Sequence, residues 1–360
     1  MQLLLSHLPA RVEASVVLFE DGAYARELRG RGFAVEVVAL APGVMSVQRE
    51  RLPLGAAAES LAMTGRLVRT FRRLRPDVVY TNTVKAHVLG AVAARLAGYR
   101  CVMHLRDILD GRARDVLRLA GRTCTQQRIA ISHAVAGALG LERTDVVPNP
   151  LDLREYEHLP SRDAAREALG LPRDVPLVGI IGRINRWKGH DRFLRSMAFV
   201  ATQSDAHFTI VGKPMFRDAD VMEELRTLAA SLGIAGRVHF VPWLDDPRVA
   251  YAAFDVNCNA SRGEPFGRTI IEAAACGVPT VCYAEGGAPE AVADRVSGRI
   301  VAADDERAFG GAVLELLVGD HERIARLCRE HARLFDASLH GERIAAILDR
   351  VVAPKRTAPV

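Results

Sequence analysis

Ser261 to Thr280 reads S-R-G-E-P-F-G-R-T-I-I-E-A-A-A-C-G-V-P-T, and the architecture around it follows from these twenty residues. Just upstream, Phe254 to Cys258 is an apolar run of strand character. Arg268 to Cys276 reads as a helix, with alanines at 273, 274 and 275 and a stop at Gly277 followed by Val278-Pro279. Pro265 and Gly267 occupy the turn between strand and helix. The amides of Gly267 to Thr269 therefore lie at the helix start, where unpaired N–H groups and the macrodipole favour an anion. Two glutamates frame the turn, Glu264 within it and Glu272 one turn into the helix. By itself the pair also fits a plain loop acid and a solvated helix residue.

The same alternation extends in both directions. Downstream of Pro176 we read strands at Leu177 to Ile181, Phe208 to Val211, Val238 to Val241 and Thr280 to Tyr283, and helices at Asp191 to Thr202, Asp220 to Leu232 and near Ala288 to Ala293. The end of the chain, from Glu306 onward, reads as helical. Upstream, strands at Val16 to Phe19, Val35 to Leu40, Val78 to Tyr80, Cys101 to Leu105 and Arg128 to Ile131 alternate with helices. Pro148 to Pro176, rich in proline and charge, reads as a connection carrying one helix, Arg162 to Leu169. Strands alternating with helices of this length imply parallel sheets covered on both faces. The expected fold is α/β, with two Rossmann-like doubly wound domains facing each other. The first covers 1–155 and is rejoined by a C-terminal helix at 336–360, and the second covers 156–335. Ligands of such sheets bind beyond the carboxyl ends of the strands, so the site is expected in the cleft between the domains.

Bulk composition narrows the function. At 360 residues the chain is long enough for two cores, and 49% hydrophobic with 25% charged residues is an ordinary globular balance. A net charge of +5 suits an anionic ligand or membrane surface, and no nucleic-acid-binding signature accompanies it. The six cysteines (Cys101, Cys124, Cys258, Cys276, Cys282, Cys328) are scattered, which fits reduced, buried thiols in the cytosol. No apolar run reaches the roughly 18 residues needed to span a bilayer. The helix Leu61 to Arg75 interleaves Arg66, Arg69, Arg72, Arg73 and Arg75 with apolar residues. It reads as a solvated face over a buried stripe, or as a membrane-surface face.

A second basic motif follows the strand at Leu177: Gly182-Arg183-Ile-Asn-Arg-Trp-Lys188-Gly189. It places an arginine at a strand's carboxyl end and a lysine five residues on, a fork and a point charge suited to a diphosphate. Alone it is weak; ahead of Glu264 and Glu272 in one domain it becomes specific.

With G-R-x4-K-G, then Val211-Gly212-Lys213-Pro214 after a strand, then Glu264-P-F-G-x4-Glu272, then Gly286-Gly287-x-x-Glu290, the chain resembles the family 4 retaining glycosyltransferases (glycosyl transferases group 1) of GT-B fold. The likeness runs from about Val16 to Val352. It implies a transferase that takes its sugar from a nucleoside-diphosphate donor. Arg183 and Lys188 resemble the pair that grips the diphosphate, Glu264 the acid on the donor sugar, and Glu272 the acid on the ribose. Phe266, Gly267, Arg268 and Thr269 match the turn at the distal phosphate, and Val211, Gly212, Trp243 and Leu244 the nucleobase pocket, with Gly182 opening the diphosphate loop. In the first domain His104 resembles a histidine aimed at sugar and phosphate. Arg106, Asp107 and Asn82-Thr83-x-Lys85 are candidates around it, and Pro148-Asn149-Pro150 matches the start of the linker.

The expected catalytic set is thus His104, Arg183, Lys188 and Glu264, with no metal and no cofactor. The sequence shows no Asp-x-Asp or histidine cluster, so Arg183, Lys188 and the helix start are expected to stabilise the leaving diphosphate. The resemblance implies retention of configuration, a glycan or glycolipid acceptor, and a place in the cytoplasm or on the inner face of the membrane. One departure stands out. The family opens with a strand and a glycine-rich loop that have no counterpart ahead of Ser15, and Gln2 to Leu8 resembles the tail of the helix that follows them. A chain lacking about 20 leading residues, or a misplaced start, is the expectation this carries. Two rivals follow: a nucleotide-sugar-binding pseudoenzyme, and a nucleotide-sugar epimerase of the same fold.

Overall fold

The computed structural model describes residues 1–40, 54–214, 218 and 220–353. They fall into two compact units, Met1–Pro150 with Ala337–Val360 and Leu151–Asp336.

The first unit alternates α1 (Gln2–Ser6), β1 (Ser15–Leu18), α2 (Ala23–Gly30), β2 (Ala34–Val37), α3 (Leu54–Leu74), β3 (Val78–Thr81), α4 (Val84–Ala97), β4 (Arg100–Leu105), α5 (Gly111–Thr123), β5 (Gln127–Ala130), α6 (His133–Leu139) and β6 (Thr144–Val146). β1 pairs in parallel with β2, and β3 to β6 form a four-stranded parallel sheet in chain order. Among the described residues no ladder joins the two groups. Local chemistry sets the helix ends. Thr83 accepts the Ala86 amide at 3.4 Å to open α4, and Ser132 accepts the Val135 amide at 3.0 Å to open α6. Such caps contribute about 1 kcal/mol each. Gly98 and Gly140 close the same helices in the left-handed region.

The second unit runs α7 (Arg162–Ala168), β7 (Leu177–Ile181), α8 (His190–Ala201), β8 (His207–Val211), α9 (Val221–Ser231), β9 (Val238–Val241), α10 (Arg248–Ala253), β10 (Val256–Asn259), α11 (Arg268–Ala275), β11 (Thr280–Tyr283), α12 (Ala288–Ala291), β12 (Gly298–Val301), α13 (Glu306–Leu317) and α14 (His321–Ala332). Its six parallel strands lie in the order β12-β11-β10-β7-β8-β9. The chain steps outward from β7 through β8 to β9, then crosses back to β10 and steps the other way. The point between β7 and β10 is therefore a topological switch, where doubly wound sheets bind ligands.

β7 is buried on both faces, as a central parallel strand must be. Val178 and Ile180 join Phe193, Leu194 and Met197 of α8 in one core layer. Leu177 and Ile181 join Tyr251, Phe254 and Ala273 in the other. Gly179 leaves room for the Phe254 ring, which a Cβ there would approach to 2.0 Å. The sequence reading began β10 at Phe254; it begins at Val256, and Phe254 follows the end of α10 to fill that gap. Neither α10, only six residues long, nor β12 was visible in the pattern. The charged linker also differs from a solvated connector. Arg166 is wholly buried and bonds the carbonyls of Ala253, Arg173 and Val175 at 2.7–2.9 Å and the Asp255 carboxylate at 2.8 Å.

The chain returns to the first unit through α15 (Ala337–Val352). Ile344 and Ile347 pack with Leu4, Val102, Ile129 and Val147. Gly341 lets α1 come close, since a Cβ there would meet the His7 carbonyl oxygen at 1.9 Å. Arg100 donates to the carbonyl of Val351 at 2.5 Å and to that of Val352, closing the helix end with a cation. Residues 354–360 of the expected C-terminal helix lie outside the described residues.

Candidate functional site

Four loops leave the carboxyl ends of β7, β8, β10 and β11, four consecutive strands of the sheet. Three glycine contacts lock them together. A Cβ at Gly212 would lie 2.0 Å from the Gly182 carbonyl oxygen, at Gly189 1.9 Å from that of Ala260, and at Gly286 2.3 Å from that of Glu264. Gly189 and Gly286 also hold φ of +69° and +60°, where other residues are strained.

Within this frame the β7 loop is wound into a short turn, Arg186–Lys188, whose start is capped by Asn185 accepting the Lys188 amide at 3.1 Å. Arg262, in the β10 loop, clamps that turn. Its amide donates to the Trp187 carbonyl at 2.7 Å, and its guanidinium to the Arg186 carbonyl at 3.0 Å and to Asp191 at 2.9 and 2.7 Å. Lys188 is thereby presented to Glu264. Its Nζ donates to Oε2 at 2.7 Å, beside the Ser261 hydroxyl donating to the same oxygen at 2.9 Å. The Lys188 ammonium also lies 4.3 Å from the Trp187 ring centre. Glu264 is held from behind as well, its carbonyl accepting the Gly287 amide at 2.6 Å.

Gly267, at φ +97°, starts α11, and the first-turn residues Arg268 and Thr269 follow it. Asn259 donates to the Thr269 hydroxyl at 3.4 Å. Phe266 is buried and meets Phe335 edge-on, with ring centres 5.8 Å apart. One turn on, Glu272 is buried. Its Oε2 accepts from the Tyr251 hydroxyl at 3.1 Å and its Oε1 from Arg268 at 3.0 Å. Burial pushes the Glu272 carboxyl above its usual range, with Arg268 opposing. The sequence reading missed Tyr251 because it sits on the unseen α10. It missed Arg262 because an arginine and an aspartate 71 residues apart look like separate surface charges.

The remaining residues fall in place around this cluster. Val211 is buried, Trp243 is exposed at 45%, and the Lys213 ammonium lies 5.9 Å from the Trp243 ring centre. Leu244 packs against the core layer beneath. Arg183 is exposed and makes no hydrogen bond or ion pair among the described residues.

His104 belongs to the other unit and is wholly buried. Its Nδ1 is hydrogen-bonded to the Tyr80 hydroxyl, its ring stacks on His340 with centres 6.1 Å apart, and its Nε2 has no partner among the described residues. Burial, with Arg106 next, pulls its pKa well below the ordinary histidine value, so it is neutral. Arg106 donates to Asn82 and to Asn149, each at 2.7 Å, joining two stretches that the sequence offered separately. Among the described residues no group of three or more His, Cys, Asp or Glu is placed to hold a metal ion, and no helix is long and apolar enough to cross a membrane.

Comparison with known proteins bears on both units. Residues 23–155 match the domain described as Glycosyltransferase Family 4, and residues 175–318 that described as Glycosyl transferases group 1. The chain is 36% identical over 212 residues to a D-inositol 3-phosphate glycosyltransferase of Mycolicibacterium gilvum, covering 58% of this chain and 46% of that protein. To the like-named protein of Mycolicibacterium smegmatis it is 33% identical over 278 residues, 75% of this chain and 62% of that one. The chain thus spans about half to three-fifths of the length of these curated relatives. Among solved structures, HepE of Anabaena in complex with UDP superposes with a TM-score of 0.83 at 28% identity, covering 97% of this chain and 95% of that one. The same protein has also been solved with UDP-glucose. Matched unit by unit over most of its length, the chain belongs to the family 4, group 1 glycosyltransferases of GT-B fold.

Proposed function

We propose that the protein transfers a sugar from a nucleoside-diphosphate sugar, holding the donor at the carboxyl ends of β7, β8, β10 and β11. The observation that carries this reading is the Lys188–Glu264–Ser261 cluster, clamped at the switch point beside the N-terminus of α11. Breaking the sugar–phosphate bond leaves charge on the distal phosphate. Lys188, the exposed Arg183 and the first-turn amides of α11 are the groups that stabilise it. Glu264 meanwhile orients Lys188 and offers its carboxylate to the sugar hydroxyls, and Glu272 takes the ribose. No step in this scheme requires a metal. The solved HepE complexes make UDP and UDP-glucose the first donors to test.

Transfer proceeds with retention of configuration, with the leaving phosphate assisting deprotonation of the acceptor. The names of the curated relatives make a phosphorylated polyol the first acceptor to try, ahead of glycan and glycolipid acceptors. The reading locates the enzyme in the cytoplasm, at the inner membrane face when the acceptor is lipid-linked.

Calorimetric titration of UDP, GDP and ADP in EDTA, followed by product analysis with UDP-glucose and inositol 3-phosphate, tests the proposal. Binding of one nucleotide and formation of an α-linked product support it. Absence of binding by all three nucleotides and their sugar conjugates would overturn it. Epimerised donor in the absence of acceptor would replace it with isomerase chemistry.

A further inference from the structure

We propose that α3 and the end of β2 form a second anion site, an arginine-lined pocket in the first unit that takes a phosphate group. The pocket measures about 520 Å³; one wall is the chain at residues 37–39 and the other is Arg66, Arg69, Thr70 and Arg73 of α3. Positions 66, 69, 70 and 73 share one helical face, so the three arginines lie on the same side of the helix, along the pocket.

Two of the arginines are anchored in place. Arg66 donates to the Ala39 carbonyl at 2.9 Å. Arg73 is paired with Glu36, whose Oε1 also accepts the Thr70 hydroxyl at 3.0 Å. Arg69, between them, makes no hydrogen bond or ion pair among the described residues and is exposed. The one carboxylate bonded to this arginine set among the described residues is Glu36, shared by Arg73 and Thr70, and Arg69 keeps its donors. That arrangement suits the oxygens of a phosphate, which arginine binds through paired N–H groups.

A helix face that merely keeps the protein in solution would show neither the wall nor the anchoring. The outward stripe of the same helix also differs from such a face. Leu61 is 74% exposed, and Ala62, Gly65, Arg69 and Arg72 are exposed with it. An exposed leucine about two turns along the stripe from Arg69 fits a phosphate at the edge of a lipid layer, while the pocket alone fits a soluble phosphate equally well. The chemistry is shared, and the two sources separate experimentally.

The full chain, without nucleotide, is sedimented with vesicles of equimolar phosphatidylglycerol and phosphatidylcholine and with phosphatidylcholine alone, and titrated with inorganic phosphate. Arg69→Gln, the double variant Arg69→Gln/Arg73→Gln and a control on α14, Arg326→Gln, are compared. Arg69 is exposed and has no partner among the described residues, so its replacement should leave folding intact. Binding to the anionic vesicles that falls about fivefold per pocket arginine removed identifies a lipid phosphate. Phosphate binding that is lost in Arg69→Gln, without vesicle binding, identifies a soluble one. If neither probe binds, or if Arg69→Gln and Arg326→Gln behave alike, the pocket is not an anion site. Since neither a nucleotide nor a diphosphate enters the assay, that failure would leave the donor-site reading intact.

Discussion

Replacing Lys188 by alanine separates what this residue does for the fold from what it does for the reaction. Glu264 has a side chain 9% exposed, and among the described residues its Oε2 accepts from Lys188, at 2.7 Å, and Ser261, at 2.9 Å. Without the ammonium the carboxylate keeps one neutral donor. Breaking a buried ion pair costs about 3–5 kcal/mol. Lys188 itself retains 16% exposure, so water reaches the vacated position and the expected loss is about 2 kcal/mol. In the double variant Lys188→Ala/Glu264→Gln the amide needs no counter-charge, and most of that stability should return. Turnover should not. Removing a group that stabilises developing phosphate charge costs roughly a hundredfold in rate, and the second substitution does nothing to restore it. Urea denaturation at neutral pH and turnover of UDP-glucose in EDTA, run on both variants, provide the two readouts. Lys188→Ala with full turnover would refute the catalytic role. Equal stability of wild type and Lys188→Ala would refute the account of the buried pair.

Three further outcomes follow from the same geometry. Gly286→Ala forces a Cβ to within 2.3 Å of the Glu264 carbonyl at a φ of +60°, and should lower stability by about 2–4 kcal/mol with a parallel loss of turnover; an unchanged melting temperature would show that the two loops can separate freely. Glu272→Gln should weaken UDP binding about tenfold while leaving pyrophosphate affinity unchanged, since the ribose, not the diphosphate, loses its charged partner. Because burial already disfavours the Glu272 carboxylate, that variant should be no less stable than wild type, and equal UDP affinity in calorimetry would remove Glu272 from the site. His87, His190 and His340 are buried, and burial lowers each to about 4. The unfolded chain therefore binds more protons below the ordinary value of 6.5. Stability is full above that value and falls as pH drops from about 6.5 to 4, by up to about 3 kcal/mol per histidine. Denaturation midpoints at pH 7 and pH 5 check this, and a His340→Gln variant with an undiminished pH slope would count against that residue.

The architecture was legible in the sequence where one short segment carried several signals at once. Pro265 and Gly267 ahead of a run of alanines mark a turn and helix start because few other residues tolerate that backbone, and α11 begins at Arg268 as read. The motif at Gly182 pointed to the end of β7 for the same reason. What sequence could not show was which charges meet. Lys188 and Glu264 were read as separate contacts for phosphate and sugar, whereas they bond each other directly. Their alignment depends on Arg262 and Asp191, which have no local signature. His104 had the spacing of a strand-end residue, but its environment is set by Tyr80 on the neighbouring strand and by His340 on α15, 236 positions later in the chain. Residues on short elements such as α10 were hidden because six residues give no helical period to detect, so Tyr251 and its bond to Glu272 went unseen.

The return of α15 to the first unit orders the events of folding. The second unit is one uninterrupted segment, Leu151–Asp336, and every contact it needs is available once that segment has been made. The first unit is not complete until residues from Ala337 onward arrive to cover Leu4, Val102 and Ile129 and to meet the Pro148 carbonyl through His340. During synthesis its apolar surface must wait through the making of an entire second domain, a closure of very high contact order. The first unit is thus the last to be sealed, and its open core is the stage at which a chaperone would have most to protect.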